Sequence, residues 1–217
     1  PAGLGGKINL RYALELAARG YVTLAPDYPN YGTYRFDPYA HGYVSATMKG
    51  IWNHMRAIDL LQSLPEVDPD RIGCIGHSLG GHNTMFVAAF DRRIRAVVSS
   101  CGFNSFSYYR KGDIAGWNHA GYMPRINTLY GNSAARMPFD FTEIAGALAP
   151  RPLFVNAPLH DDDFEVEGVA ACVRAARPVY ELLGGADNLV VVNPDTGHDF
   201  TPDVREAAYA FLEKALR

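Results

Sequence analysis

The residue best placed to do chemistry in this sequence is Ser78, which stands in the segment GHSLGG between Gly76 and Gly80. The β-branched run RIGCI before it predicts a strand, and LGGHNTMFVAAF after it predicts a helix. A serine between glycines at a strand-to-helix junction is typical of a nucleophile elbow, whose sharp turn presents the hydroxyl at the end of a sheet. We therefore expect Ser78 to have a strained backbone and to act as a nucleophile.

A serine hydroxyl needs a base, and His198 is the candidate. It lies in a glycine-bearing loop after the apolar run VVVN, which predicts a strand. The carboxyl ends of parallel strands meet at one edge of a sheet, so His198 should approach Ser78. The backbone N–H of Leu79, at the start of the predicted helix, would then face a developing oxyanion. His160 could compete as the base, but it stands beside the candidate acids and should point elsewhere.

A base in such a site needs an orienting acid, and three consecutive aspartates follow the apolar run LFVN. Asp161 is the first carboxylate able to turn back toward His198. Because loop residues alternate in direction, Asp162 should point away, and Asp163 should cap the next helix. The chain order serine, aspartate, histidine is the order expected of a nucleophile-elbow hydrolase.

The elements that must position these residues alternate between strand and helix, which predicts an α/β fold with a parallel sheet covered on both faces. Five near-continuously apolar runs predict strands: YVTLAP (21–26), RIGCIG, IRAVVSSCG, PLFVNAP and NLVVVNP. Helical periodicity predicts helices over 7–20, with Leu10, Leu14 and Ala17 on the buried face, and over 44–64, with Val44, Met48, Ile51, Met55 and Ile58 on it. Thr201 and Pro202 predict the start of the last helix.

Composition bounds the class of protein. With 217 residues and 48% hydrophobic content, the chain is expected to form a single domain over 1–217, with the aromatic segment 103–140 as a lid or excursion. The formal charge of −3 without a basic stripe argues against nucleic acid, and no apolar run is long enough to span a membrane. Cys74, Cys101 and Cys172 are too few and too dispersed for a disulfide framework or a zinc site, so no metal or cofactor is expected.

The segments GHSLGG, APLHDDDF and PDTGHDF resemble those of α/β-hydrolases, closest to the branch of dienelactone hydrolases, acetylxylan esterases and prolyl-oligopeptidase-like enzymes. The resemblance covers essentially the whole chain in element order. It implies an α/β-hydrolase fold and a cofactor-free triad of Ser78, His198 and Asp161, with Asp162 as the alternative acid. Dienelactone hydrolases have a cysteine nucleophile, so the serine here favours ordinary ester hydrolysis.

The resemblance also implies parts that would lie outside this sequence. The chain begins PAGLGGK without a methionine, so we expect a truncated N-terminus. The opening strands of the fold, and the loop that supplies the second oxyanion donor, would precede Pro1 or at best touch PAGLGG.

The sequence therefore predicts a serine esterase that acts through an acyl-enzyme on a small-molecule or carbohydrate ester. Two alternatives stay open: a serine peptidase of the prolyl-oligopeptidase type, and a non-catalytic binding protein that keeps the hydrolase fold. Aromatic residues in two loops could line a substrate pocket or simply pack those loops on the domain. They are Tyr28, Tyr31, Tyr34, Tyr39, Tyr108, Tyr109 and Trp117.

Overall fold

A computed structural model describes residues 8–217, which form a parallel sheet between two helical layers. The four strands lie side by side in chain order and all pair in parallel. Their bounds are β1 (Ile72–His77), β2 (Ile94–Ser100), β3 (Leu153–Asn156) and β4 (Leu189–Val192). In the ladder Ser100 is level with both His77 and Asn156, so three strands end together at one edge.

Helices cover both faces of this sheet, and none of those in the described part of the chain is long and apolar enough to cross a membrane. They are α1 (Tyr12–Ala18), α2 (Ala46–Ser63), α3 (Leu79–Phe90), α4 (Arg125–Tyr130), α5 (Phe141–Ala147), α6 (Val166–Leu182) and α7 (Pro202–Ala215). Single 3-10 turns occur at Ile8–Leu10, Tyr109–Gly112, Ile114–Trp117, Ala134–Arg136 and Ala186–Asn188.

Alternation along the strands creates two cores. In β2, Val97 faces the larger core, to which α2, α3, α5 and α6 contribute, whereas Ala96 and Val98 face the smaller core under α1 and α7. A strand with apolar side chains on both faces must be covered on both sides, which is why its sequence is continuously apolar. The layering predicted from the sequence is therefore present.

The strand predicted over 21–26 is absent, so the described sheet has four strands and not five. Val22 and Leu24 are 46% and 43% exposed. Local β propensity becomes a strand only where a neighbouring strand supplies hydrogen bonds and another layer covers the side chains. Residues 21–26 pair with no strand in the part of the chain described here.

The two predicted helical faces are partly wrong. In α1 the buried residue is Leu16, whereas Leu14 is exposed. In α2 the C-terminal residues of the predicted face pack as expected, but Met48 is exposed and Gly50 is buried. The ring of Tyr28 lies so close to Gly50 that a Cβ at this position would overlap it. Periodicity alone could not identify a face created by a loop that is distant in sequence.

The segment 103–140 forms short helices whose aromatic side chains enter the larger core. Phe106, Tyr109 and Trp117 are all buried, and only Tyr108 of the predicted pocket aromatics here is exposed. The segment leads into α5, whose start is a capping box between Asp140 and the residue three places into the helix. The single-domain assignment and a lid role for 103–140 stay predictions.

Candidate active site

Ser78 joins β1 to α3 in a strained turn. Its backbone angles are φ 54° and ψ −118°, outside the regions that side-chain-bearing residues favour. The amide N–H of Ser78 donates to the carbonyl of Ser100 at 2.8 Å, which anchors the turn to the end of β2. The strain predicted for the elbow is therefore present.

The turn is possible because one of its glycines lacks a side chain. A Cβ on Gly76 would overlap the backbone carbonyl of Gly80. A Cβ on Gly80 would meet only the hydroxyl of Tyr12, at an ordinary 3.5 Å, so of the two glycines that flank Ser78 only Gly76 is required by this collision. Gly81 is also required, because a Cβ there would lie 2.8 Å from the Cα of Gly102.

Leu79 is the first residue of α3, where backbone N–H groups have no acceptor in the preceding turn of the helix. Its N–H and the positive end of the helix dipole lie next to Ser78, as an oxyanion donor requires. The loop predicted to carry a second donor, before Pro1 or touching PAGLGG, lies outside the described residues.

His198 lies in the loop between β4 and α7, beside the elbow. Its ring centroid is 4.9 Å from that of His77, the residue before Ser78. Among the described residues no hydrogen bond joins His198 to the hydroxyl of Ser78, and contacts of this kind commonly tighten only when substrate binds. The ring of Phe164, 5.9 Å from that of His198, forms an aromatic wall on another side.

Asp161 is the carboxylate that contacts His198, the candidate base. Both of its oxygens lie 3.0 Å from Nδ1 of His198, and Oδ1 also accepts the backbone N–H groups of Asp163 (2.9 Å) and Phe164 (3.0 Å). Three donors converge on one buried carboxylate, whose side chain has no exposed surface. This hydrogen bonding fixes the carboxylate and through it the orientation of the imidazole.

The electrostatics of this pair follow from the same contacts. Burial acts to raise the pKa of Asp161, but the hydrogen bonds from His198 and the backbone of Phe164 outweigh it, and the pKa lies below its usual value. The hydrogen bond to Asp161 raises the pKa of His198, against the opposing effect of burial. The pair therefore favours an ionised acid beside an imidazole whose basicity is increased.

The other two aspartates do not contact His198. Asp162 is exposed, as expected from loop alternation. Asp163 is exposed and its carboxylate lies 3.9 Å from Arg110. The expectation that Asp163 caps the next helix is wrong, because the N-cap residue of α6 is Glu165, two residues later. The loop curls around Asp161, whose carboxylate accepts the backbone N–H groups of the residues two and three places later, so its side chains do not simply alternate in direction.

Two other histidines, His160 and His82, have partners outside the triad candidates. His160 is exposed and its Nε2 lies 2.7 Å from Asp195. His82 lies in α3, where its ring stacks on that of Trp117 with centroids 5.1 Å apart and its Nε2 is 3.3 Å from the hydroxyl of Thr47. Burial lowers the pKa of His82 to about 3, so the ring is neutral at physiological pH.

Two residues that sequence analysis did not place in the site lie beneath it. Asn156, at the end of β3, donates to the carbonyl of Asp199 at 3.0 Å and to the hydroxyl of Ser100 at 2.8 Å, which ties the histidine loop to the sheet. Cys101 directly follows β2, with φ 47°, and its N–H donates to the carbonyl of Asn156. Asn156 ends one apolar strand and Cys101 follows another, and this position at a strand end is the sequence feature that could have identified them.

Cys101 also supplies a group that could bind a metal. Its sulfur, a carboxylate oxygen of Asp161 and a ring nitrogen of His198 all lie within 4.8 Å of one another. The cysteine is a free thiol, and burial raises its pKa far above the ordinary value. The three side chains follow different strands, so the spacing of cysteines in the sequence gives no sign of this cluster.

The predicted aromatic residues form contacts between two loops. Tyr28 is buried and its hydroxyl donates to the carbonyl of Gly121, and the hydroxyl of Tyr39 donates to the carbonyl of Ala120. These hydrogen bonds join the loop after residue 26 to the segment 103–140. In that segment the ring of Trp117 lies 5.8 Å from the ring of Phe164, measured between centroids. Tyr28 and Tyr39 therefore hold the two loops together through their hydroxyl groups.

Comparisons with known proteins agree with this architecture. A family model described as "Glucuronyl esterase, fungi" matches residues 30–184. The chain is 31% identical over 209 residues to a Bacillus subtilis (strain 168) protein named "Putative hydrolase YtaP", an alignment that covers 93% of this chain and 67% of that one. It is 26% identical over 205 residues to a 4-O-methyl-glucuronoyl methylesterase of Phanerochaete carnosa, covering 83% of this chain and 49% of the relative.

Solved structures show the same fold. A carbohydrate esterase family 15 glucuronoyl esterase from Caldicellulosiruptor kristjansonii superposes with a TM-score of 0.70 at 23% identity, over 80% of this chain and 51% of that chain. The α/β-hydrolase fold class predicted from the sequence is confirmed, as is the resemblance to esterases with that fold. The chain spans about two thirds of the Bacillus relative and about half of the other two proteins.

Proposed function

The chain belongs to the glucuronyl esterase family, and from this premise we propose that it is a serine esterase that hydrolyses carboxylic esters of carbohydrates. The single observation that carries the proposal is the hydrogen-bonded pair of His198 and Asp161 beside the strained turn at Ser78. Ser78, Asp161 and His198 follow the carboxyl ends of three strands, which supports the proposed roles of nucleophile, orienting acid and base. No cofactor is needed for this chemistry.

In the proposed reaction the Ser78 hydroxyl attacks the ester carbonyl and His198 accepts its proton through Nε2. The N–H of Leu79 stabilises the oxyanion, and the protonated imidazole then donates to the leaving alcohol. A water molecule, activated by the same imidazole, hydrolyses the acyl-enzyme and regenerates the serine. Asp161 remains ionised throughout, holds the proton of the resting imidazole on Nδ1, and stabilises the imidazolium that forms.

The finer part of the proposal concerns the substrate. The relatives' names specify esters of a methylated glucuronic acid, and we infer that this chain takes the methyl ester of a hexuronic acid. The aromatic wall of Phe164 beside His198 supports a sugar ring in the site, because aromatic faces pack well against the apolar faces of sugars.

The experiment compares wild type with Ser78→Ala on short p-nitrophenyl esters and on the methyl esters of glucuronic and galacturonic acid. We expect the wild type to cleave the esters and the variant to lose activity. A fluorophosphonate probe should label wild type and not Ser78→Ala, because only an activated serine reacts readily.

Four outcomes would contradict the proposal at different levels. Undiminished ester cleavage by Ser78→Ala would exclude Ser78 as the nucleophile. Cleavage of peptides with all esters left intact would favour a peptidase, and absence of both labelling and cleavage would favour a binding protein. Cleavage of p-nitrophenyl esters without either uronate ester would overturn only the substrate assignment.

A further inference from the structure

Cys101, Asp161 and His198 form a compact group of three different ligand types. Thiolate sulfur, carboxylate oxygen and imidazole nitrogen are the ligands that Zn²⁺ prefers in proteins. The three candidate atoms lie within 4.8 Å of one another, and the Nδ1 of His198 is 3.0 Å from the Asp161 carboxylate. Tetrahedral zinc separates such ligands by roughly 3.3 to 3.6 Å, so side-chain movements of about 1 Å would close the site.

In the structure the thiol of Cys101 donates to the carbonyl of Asp199 at 3.5 Å, and two hydrogen-bond donors face its sulfur. The side-chain amide of Asn156 points an N–H group at Sγ of Cys101 from 3.8 Å, and the hydroxyl of Ser100 lies 3.9 Å away. Donors of this kind stabilise a coordinated thiolate. The backbone of Cys101 is held in place by the hydrogen bond from its N–H to the carbonyl of Asn156, at 2.9 Å.

The charges of the group also balance. One thiolate and one carboxylate neutralise a divalent cation, with His198 as the neutral third ligand. A water molecule would complete a tetrahedron. Of the three side chains, that of His198 reaches solvent, with 22% of its surface exposed, and gives a cation a route in when the ring moves.

We propose that Cys101, Asp161 and His198 bind Zn²⁺ or a similar divalent cation, and that the bound cation inhibits ester hydrolysis. The inhibition rests on the proposed function, whereas the metal site does not. Binding releases the thiol proton of Cys101 to solvent. Coordination through Nδ1 moves the single proton of neutral His198 to Nε2, the nitrogen that must accept the serine proton. The imidazole can then no longer act as the base.

The test of the site uses Co²⁺ as the spectroscopic probe, added to the purified full-length protein with reduced thiols. We expect wild type to develop a near-ultraviolet absorption band from thiolate-to-cobalt charge transfer, which Zn²⁺ displaces. Cys101→Ser should lose the band, and Cys101→Ala provides a second variant if the first does not fold by circular dichroism. Cys172→Ser is the matched control, because Cys172 is also a buried free thiol but belongs to α6, and it should keep the band.

Ser78→Ala separates this proposal from the proposed function, since it should keep the cobalt band whether or not the protein is an esterase. In the activity assay, Zn²⁺ should inhibit wild type and a chelator should reverse the inhibition. Losing an outer-shell partner already costs roughly 10- to 100-fold in metal affinity, so Cys101→Ser, which lacks a ligand, should raise the Zn²⁺ concentration that gives half-inhibition by at least that factor. A wild-type protein without the band, or an unchanged band in Cys101→Ser, would overturn the metal site.

Discussion

The Nδ1 atom of His198 lies 3.0 Å from both carboxylate oxygens of Asp161, although the two residues are 37 positions apart in the chain. Their loops follow the adjacent parallel strands β3 and β4, so the pairing of these strands sets the distance. The contact selects one of three consecutive aspartates. Variants of Asp161 and of its two neighbours can therefore be compared to identify the acid.

Replacing the acid should impair turnover without unfolding the protein. Asp161→Asn keeps the shape of the side chain but can hold the imidazole in the wrong tautomer, so we expect kcat to fall roughly 1,000- to 10,000-fold. Asp162→Asn is the matched control and should change kcat little, because this side chain is exposed and does not contact His198. Steady-state kinetics on a p-nitrophenyl ester checks both. Equal losses in the two variants would contradict the assignment.

Activity should decline on the acidic side as His198 becomes protonated. The pKa of this imidazole is raised by its hydrogen bond to Asp161, so kcat/KM should fall as pH decreases through a value above the ordinary 6.5. Removing the negative charge in Asp161→Asn should lower the pKa and move the acidic limb to lower pH. The measurement is the pH profile of residual kcat/KM in both proteins. A shift of the limb to higher pH would contradict this electrostatic account.

The two glycines of the elbow should differ in their tolerance of a methyl group. Gly76→Ala places a Cβ against the backbone carbonyl of Gly80, so a backbone shift is required and we expect a loss of at least about 1–3 kcal/mol of unfolding free energy. Gly80→Ala lies in α3 with room for the methyl group, and alanine favours a helix, so its stability should stay within about 1 kcal/mol of wild type. Urea denaturation distinguishes them. Similar stabilities would refute the clash.

An ion pair between the buried Arg205 and the partly exposed Glu15 links α1 to α7. Arg205 donates to Glu15 through two nitrogens at 2.9 Å, and the side chain of Arg205 is 6% exposed. We expect Arg205→Ala to lower the free energy of unfolding by about 1.5–3 kcal/mol, the range for hydrogen bonds to charged groups. Arg19→Ala removes an exposed ion pair with Glu206 and should cost less than about 1 kcal/mol.

The same pair carries a pH dependence. The hydrogen bond from Arg205 lowers the pKa of Glu15 in the folded state. Its contribution is therefore present above the unfolded glutamate pKa, about 4.3, and is lost as pH falls through the lower folded value. The stability difference between wild type and Arg205→Ala should shrink in acid. A difference that grows below pH 4 would contradict the assignment.

The sequence by itself determined the local features of the site. GHSLGG predicts the strained turn because the contact that requires a glycine at position 76 is made with Gly80, and both residues lie two positions from Ser78. The apolar runs of β1 to β4 predict buried parallel strands, and Pro202 predicts the first residue of α7, where a missing N–H costs nothing. Each of these depends on neighbours in the chain, so periodicity and residue type were sufficient.

Tertiary structure decided everything that depends on partners distant in sequence. The run 21–26 has strand propensity, but no described strand pairs with it, and pairing is not encoded in one segment. The buried face of α2 depends on Tyr28 lying against Gly50. The position of Cys101 beside Asp161 follows from the parallel register that sets Ser100 opposite Asn156. Register between strands separated by more than fifty residues is fixed by packing of the whole sheet, because each strand alone is compatible with several alignments.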